Sequence, residues 1–201
     1  MAIVAGRPTL FLIAGPNGAG KSTFYDTVLA QRIAAPFINA DIIQRDELQD
    51  PSPRASYRAA EIAEQRRRDA IAEGRTFVME TVFSHPSKLA LLRYARAAGY
   101  RIVVFHIGLQ SADLALARVA DRIEEGGHLV PPEKIIARFA RNGAIIREAV
   151  RMADRAQVLD GSALNEAPQM VAEFAGGQVI RMGDGQVPAW VAELYGEMLK
   201  T

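Results

Sequence analysis

The sequence predicts an α/β fold, a parallel sheet of about five strands flanked by helices, from three observations. Strand-like apolar runs recur at Leu10–Ala14, Pro36–Asn39, Thr76–Met79, Ile102–Ile107 and Gln157–Leu159, the pattern of strands buried on both faces. Segments of helical periodicity separate them, as crossovers between parallel strands require. The first run leads straight into Gly15-Pro16-Asn17-Gly18-Ala19-Gly20-Lys21-Ser22, which fits the phosphate-binding pattern GxxxxGKS/T and belongs between a strand and a helix.

Size and composition set the frame for these elements. A chain of 201 residues with 49% hydrophobic content can bury one good core, so a single domain is expected over 1–201, with a lid region at about 112–141 and a C-terminal hairpin and helix at about 178–200. The formal net charge of +1 argues against nucleic acid or an anionic membrane as the main partner. Cysteine is absent, which excludes disulfides, thiolate metal sites and a cysteine nucleophile. The apolar N-terminal stretch has no charged segment before it and runs into the glycine-rich loop, so it reads as a core strand. No apolar run is long enough to span a bilayer, and a cytoplasmic protein is expected.

The elements follow in order. After the loop, Phe24, Val28 and Leu29 share one side of a helix whose N-terminus points at the same phosphates. Residues 54–73 carry Ala59, Ala60, Ile62, Ala63, Ala70 and Ile71 and stop at Gly74, with Arg66-Arg67-Arg68 read as a solvated face. Ser84-His85-Pro86 opens the next helix and Gly99 closes it; His85 is read as a turn residue. A charged helix over 112–125 is broken by Gly126-Gly127-His128-Leu129-Val130-Pro131-Pro132, and a basic helix runs from Glu133 to about Ala156. In the tail, Gln178–Met182, a Gly183-Asp184-Gly185 turn and Gln186-Val187 read as a small hairpin. A last amphipathic helix carries Trp190, Val191, Leu194, Tyr195 and Leu199.

The chemistry expected of a P-loop NTPase starts at the loop. Backbone N–H groups of Gly15, Pro16-flanked Asn17, Gly18, Ala19 and Gly20 would cradle a β-phosphate, with Thr23 opening the helix behind them. Lys21 would supply charge to the β and γ oxygens and Ser22 a hydroxyl ligand for Mg²⁺. Lys21 is one of only four lysines, beside twenty arginines.

Three acids fall at carboxyl ends of strands, where ligands bind in open α/β sheets. Asp41 is either the base that takes a proton from an attacking hydroxyl or the N-cap of the next helix. Glu80 either holds a Mg²⁺-bound water, grips an acceptor, or caps the following turn. Asp160, before Gly161-Ser162, is read as shaping a loop near the nucleotide base. Arginines at 112–141 could stabilise charge on a transferring γ-phosphate: Arg118 and Arg122 share one helix face, and Arg138 and Arg141 begin another. The alternative is intrahelical pairing of Arg118 with Asp121, and of Arg122 with Glu124 or Glu125.

Together the loop, Ile38-Asn39-Ala40-Asp41, Phe77-Val78-Met79-Glu80-Thr81 and Gly126-Gly127-His128-Leu129-Val130-Pro131 resemble the zeta toxin family of P-loop kinases, particularly its short chromosomal members. The resemblance covers about Leu10 to Arg141. It implies ATP- or GTP-dependent phosphorylation of a nucleotide sugar such as UDP-N-acetylglucosamine, with an antitoxin protein as a partner. By position it makes Lys21 and Ser22 the phosphate and Mg²⁺ residues, Asp41 the base, and Glu80 with Thr81 acceptor contacts. Glu64 matches a second substrate acid in spacing, and Arg118 or Arg122 matches the first lid arginine. His128 stands where relatives carry an arginine, so either His128 or Arg138 takes the second position. After Glu80 the chain reads Thr81-Val82-Phe83-Ser84, without the arginine some members place on a diphosphate.

Two other functions compete. One is a kinase of another metabolite: a nucleoside, nucleotide or sugar. The other is an ATP-hydrolysing switch or transporter-type ATPase, to which Ala175-Gly176-Gly177-Gln178 bears only a faint likeness.

Overall fold

A computed structural model describes residues 6–124, 130–164 and 166–200, with only the backbone of 122–124. The strands are β1 (Thr9–Ala14), β2 (Phe37–Ile38), β3 (Phe77–Thr81), β4 (Arg101–Gly108), β5 (Arg155–Asp160), β6 (Gln169–Ala175) and β7 (Gln178–Met182). They form one sheet in the order β2-β3-β1-β4-β5-β6-β7. The first five are parallel, with β1 between β3 and β4, so their carboxyl ends share one rim. The final two join antiparallel.

Alternation along β1 splits the core between the two faces of the sheet. Leu10, Leu12 and Ala14 join Phe77, Met79, Ile102 and Val104 on one side; Phe11 and Ile13 join Val78, Val103, Phe105 and Ile107 on the other. All six residues of β1 are buried, which is why this run shows no polar alternation in the sequence.

The helices are α1 (Lys21–Phe24), α2 (Ala40–Ile42), α3 (Pro53–Ala72), α4 (Ser87–Ala97), α5 (Ala112–Glu124), α6 (Pro132–Met152) and α7 (Ala189–Leu199). The first two each continue into a wider π-helical segment, Tyr25–Leu29 and Ile43–Leu48. Ser52 caps α3 through the Ala55 N–H, with proline at its first position. His85 does turn work, its Nδ1 accepting from the Ser87 N–H at 3.2 Å. Among the described residues no helix is long and apolar enough to cross a membrane.

Four readings need correction. Among the described residues the sheet has seven strands because β6, whose buried Val171, Ala172 and Phe174 are interrupted by Glu173, extends it with a hairpin. That hairpin joins β6 to β7 through Gly176 and Gly177, both at positive φ (56° and 81°), as a two-residue turn with primed geometry demands. It is therefore neither 178–187 folded on itself nor a nucleotide-binding signature. The basic helix ends at Met152, not near Ala156, since Ala153 is already extended and the chain must enter β5. Finally, Arg66-Arg67-Arg68 is not one solvated face: successive helical residues are about 100° apart, and Arg67 lands on the buried stripe of Ala59, Ala63 and Ala70.

Candidate phosphoryl-transfer site

The rim at the carboxyl ends of β1, β2 and β3 gathers most of the expected residues. Gly15 to Gly20 leave β1 as a loop, and Gly20, at φ 81°, caps α1 in a left-handed conformation that a residue with a Cβ adopts only at a cost. Lys21 is 7% exposed; its Nζ donates to the Pro16 carbonyl at 2.9 Å and lies 3.7 Å from Glu80 Oε1. The ammonium is thereby folded back over its own loop. Asn17 Oδ1 in the same loop is buried without a hydrogen-bond partner, an unmet polar atom of the kind a bound group would satisfy.

Glu80 is the hub. Its Oε2 accepts from Ser22 Oγ at 2.9 Å and from Asn39 Nδ2 at 2.8 Å, so the end of β3, the start of α1 and the end of β2 converge on one carboxylate. Of the three readings of Glu80, the turn cap is not formed. The turn is instead held by Thr81, whose Oγ1 accepts from the Phe83 N–H at 3.2 Å. Phe83 takes φ 55° while its side chain is 1% exposed; burial of the ring holds the backbone in a conformation that costs a non-glycine residue about 1 kcal/mol or more.

Asp41 is not the N-cap of α2. Asn39 is: its Oδ1 accepts from the Asp41 N–H at 2.7 Å. Asp41 thus stands in the first helical turn, solvent-exposed on the rim. Asn39 is the residue that sequence reasoning missed, although asparagine directly after a strand and before a helix is a cap signature. Glu64, on α3, is set among cations: Lys88 at 3.4 Å, Arg68 at 3.4 Å and Arg67 at 3.7 Å. Burial pushes the Arg67 guanidinium below its ordinary value, and its NH2 group reaches the Ile38 carbonyl at the end of β2.

The lid arginines divide. Arg118 does not pair with Asp121 and does not present a free guanidinium. It donates to the carbonyls of Gly161 at 2.6 Å, Ala163 at 2.7 Å, Ser162 at 3.0 Å and Gly18 at 3.4 Å, joining α5 to the phosphate loop and to the turn after β5. Arg138, half-buried on α6, has no hydrogen bond or ion pair among the described residues. It shares a face with the buried Ile135 and Asn142. Because α6 must deliver the chain to the amino end of β5, its first half lies at the carboxyl rim. The side chain of Arg122 and all of His128 lie outside the described residues. Asp160 shapes the turn as expected, its Oδ1 accepting from Ser162 N–H and Oγ–H.

Among the described residues no group of three or more histidine, cysteine, aspartate or glutamate side chains could hold a metal. Magnesium does not need one, since it is commonly held by one or two protein oxygens together with waters and substrate phosphates. Ser22 Oγ and Glu80 fit that donor set.

Comparison with known proteins agrees with the fold. The family profile described as Zeta toxin matches residues 3–164. No curated protein gives a significant match. Among solved structures, one from the PezAT chromosomal toxin–antitoxin system of Streptococcus pneumoniae superposes with a TM-score of 0.63 at 15% identity, covering 94% of this chain and 79% of that one. The AvrRxo1-ORF1:-ORF2 complex with ATP gives 0.71 at 16% identity, covering 96% and 64%. A chain of the Pnkp1/Rnl/Hen1 RNA repair complex gives 0.56 at 16% identity, covering 72% and 47%. At these identities the likeness is one of fold, and this chain spans less than two thirds of the second and third.

Proposed function

Because the chain belongs to the zeta toxin family and is a P-loop kinase, we propose that it moves the γ-phosphoryl group of ATP or GTP to a hydroxyl of a small acceptor, with a nucleotide sugar such as UDP-N-acetylglucosamine as the first candidate. The observation that carries this reading is the convergence of Lys21, Ser22 and Asn39 on Glu80, with Asp41 positioned by that same Asn39.

In the proposed reaction the Asp41 carboxylate takes the proton of the acceptor hydroxyl. The freed oxygen attacks the γ-phosphorus, the bond from that phosphorus to the β–γ bridging oxygen breaks, and the nucleoside diphosphate leaves. Lys21 balances charge on the β and γ oxygens from one side. Arg138, the described lid arginine without another partner, does so from α6 as the lid closes. Ser22 and Glu80 would hold magnesium, which when bound supplies positive charge to the same oxygens. Arg118 keeps the phosphate loop in shape. Glu80 serves the metal side, since its Oε2 is already tied to the Ser22 hydroxyl; Thr81 and Glu64 remain on the β2–β3 side, where the acceptor would enter. An antitoxin that covers this rim is the partner proposed for a family member of this kind.

The test is transfer of γ-labelled phosphate from ATP and from GTP to a panel of UDP-sugars, nucleosides, nucleotides and free sugars. Label on a UDP-sugar supports the reading. Label only on another metabolite replaces the acceptor, and hydrolysis with no labelled acceptor, stimulated by a second protein, supports an ATPase instead.

A further inference from the structure

We propose that Trp190, on the C-terminal helix α7, is a positioning residue for nucleotide binding: through Asp160 it fixes the 161–163 turn, on which the base end of the nucleotide lies. This rests on the reading above. Asp41, Asn39 and Glu80 occupy the β2–β3 side of the phosphate loop, so a triphosphate whose γ end points at them must run its nucleoside toward β4 and β5. The first structures it meets there are α5 and the 161–163 turn.

That turn touches the phosphate loop directly. A Cβ on Gly161 would lie 2.8 Å from the Ala19 carbonyl oxygen, and Arg118 binds the carbonyls of Gly18 and of all three turn residues. Arg118 secures the turn from the α5 side. From the other side Asp160 Oδ1 accepts from Ser162 Oγ at 2.7 Å and from Trp190 Nε1 at 2.9 Å, and Ser162 Oγ in turn accepts from the Gln110 N–H at 3.0 Å. Among the described residues the indole is the one contact of this network that comes from the tail of the chain.

The place of Trp190 is itself well determined. Its ring lies on Gly108, where a Cβ would come within 2.3 Å of the indole, and it meets His106 edge-on at 5.3 Å between ring centroids. Further along α7, the Tyr195 hydroxyl and His106 Nδ1 are 2.7 Å apart in the buried core. The helix therefore cannot slide without breaking the contact to Asp160. Releasing the N–H loosens the nucleoside end of the site and leaves the γ-phosphate end unchanged.

Trp190→Phe keeps the ring and removes the donor. Isothermal titration with a non-hydrolysable ATP analogue is expected to show roughly three- to tenfold weaker binding, less than the full value of a hydrogen bond to a charged group because this one acts on the nucleotide only through the turn. The ATP KM should rise in parallel, with kcat and the acceptor KM within about twofold. Asp160→Asn should weaken binding in the same direction, and the double variant should be no worse than the sum minus the shared bond, a coupling that a double-mutant cycle reads. Trp190 is the single tryptophan of the chain, so wild-type fluorescence should change on nucleotide addition. Wild-type affinity in Trp190→Phe overturns the proposal. So does a fall of kcat and melting temperature together with a rise in both KM values. A wild-type protein that binds no nucleotide at all removes the proposed function as well, whereas equal binding by wild type and variant removes only the positioning role.

Discussion

Asn39 donates from its amide nitrogen to Glu80 while its amide oxygen caps α2 through the Asp41 N–H, so one side chain sets the relative places of two carboxylates. Asn39→Ala should destabilise the protein by about 1 kcal/mol, the usual cost of a lost N-cap, read by urea unfolding. It should also lower kcat by up to about a hundredfold, the penalty for a misplaced catalytic group, with nucleotide affinity little changed. Wild-type kcat in that variant would break the link between cap and base. The rim positions of Asp41, Glu80, Lys21 and Ser22 follow from the sequence because each sits at a fixed offset from a strand end. Asn39's role was not, because its two bonds go to a neighbour and to a residue 41 positions away. Arg67 was hidden for another reason: a run of three arginines looks uniform in sequence, while helical rotation sends only the middle one inward.

At the scale of elements, α5 and α6 separate two arginine roles. Arg118→Ala should lower the melting temperature and weaken nucleotide binding, since four carbonyls lose their donor. Arg138→Ala should leave both in place and cut kcat on the order of a hundredfold, as removal of one charge-stabilising donor does. If thermal melting, nucleotide titration and turnover report the reverse pattern, the assignments exchange. The contact between β4 and α7 carries a pH dependence. Burial lowers the pKa of His106 to about 3 against about 6.5 in the unfolded chain, and its ring faces the Tyr195 hydroxyl, held protonated by burial, and the Trp190 ring, with Arg147 acting on Tyr195. Between these values the unfolded state binds the proton and the native state does not, so stability falls as pH drops below about 6.5, by at most about 1.4 kcal/mol per unit. Denaturant unfolding at pH 7 and pH 5 should show a smaller loss in His106→Gln than in wild type; an equal loss in both would remove His106 as the source.

Over the whole molecule, the parallel half of the sheet follows from apolar runs that are buried on both faces, and that half builds the site. The antiparallel half escaped because β6 and β7 present mixed polar and apolar residues, and their pairing depends on a two-glycine turn rather than on a long hydrophobic run. This half places α7 over β4 and brings Trp190 to Asp160, so the tail is tied to the proposed nucleotide end of the rim, with β2 and β3 at the proposed acceptor end. The central claim is that a base at the tip of β2 acts across the γ-phosphate held by the loop after β1. The direct measurement compares wild type with Asp41→Asn, taking nucleotide affinity by calorimetry and phosphoryl transfer to the accepted hydroxyl compound by labelled ATP. The expected result is unchanged nucleotide affinity with transfer reduced by roughly a hundredfold or more, within the usual range for a lost general base. Transfer at the wild-type rate in Asp41→Asn would contradict it.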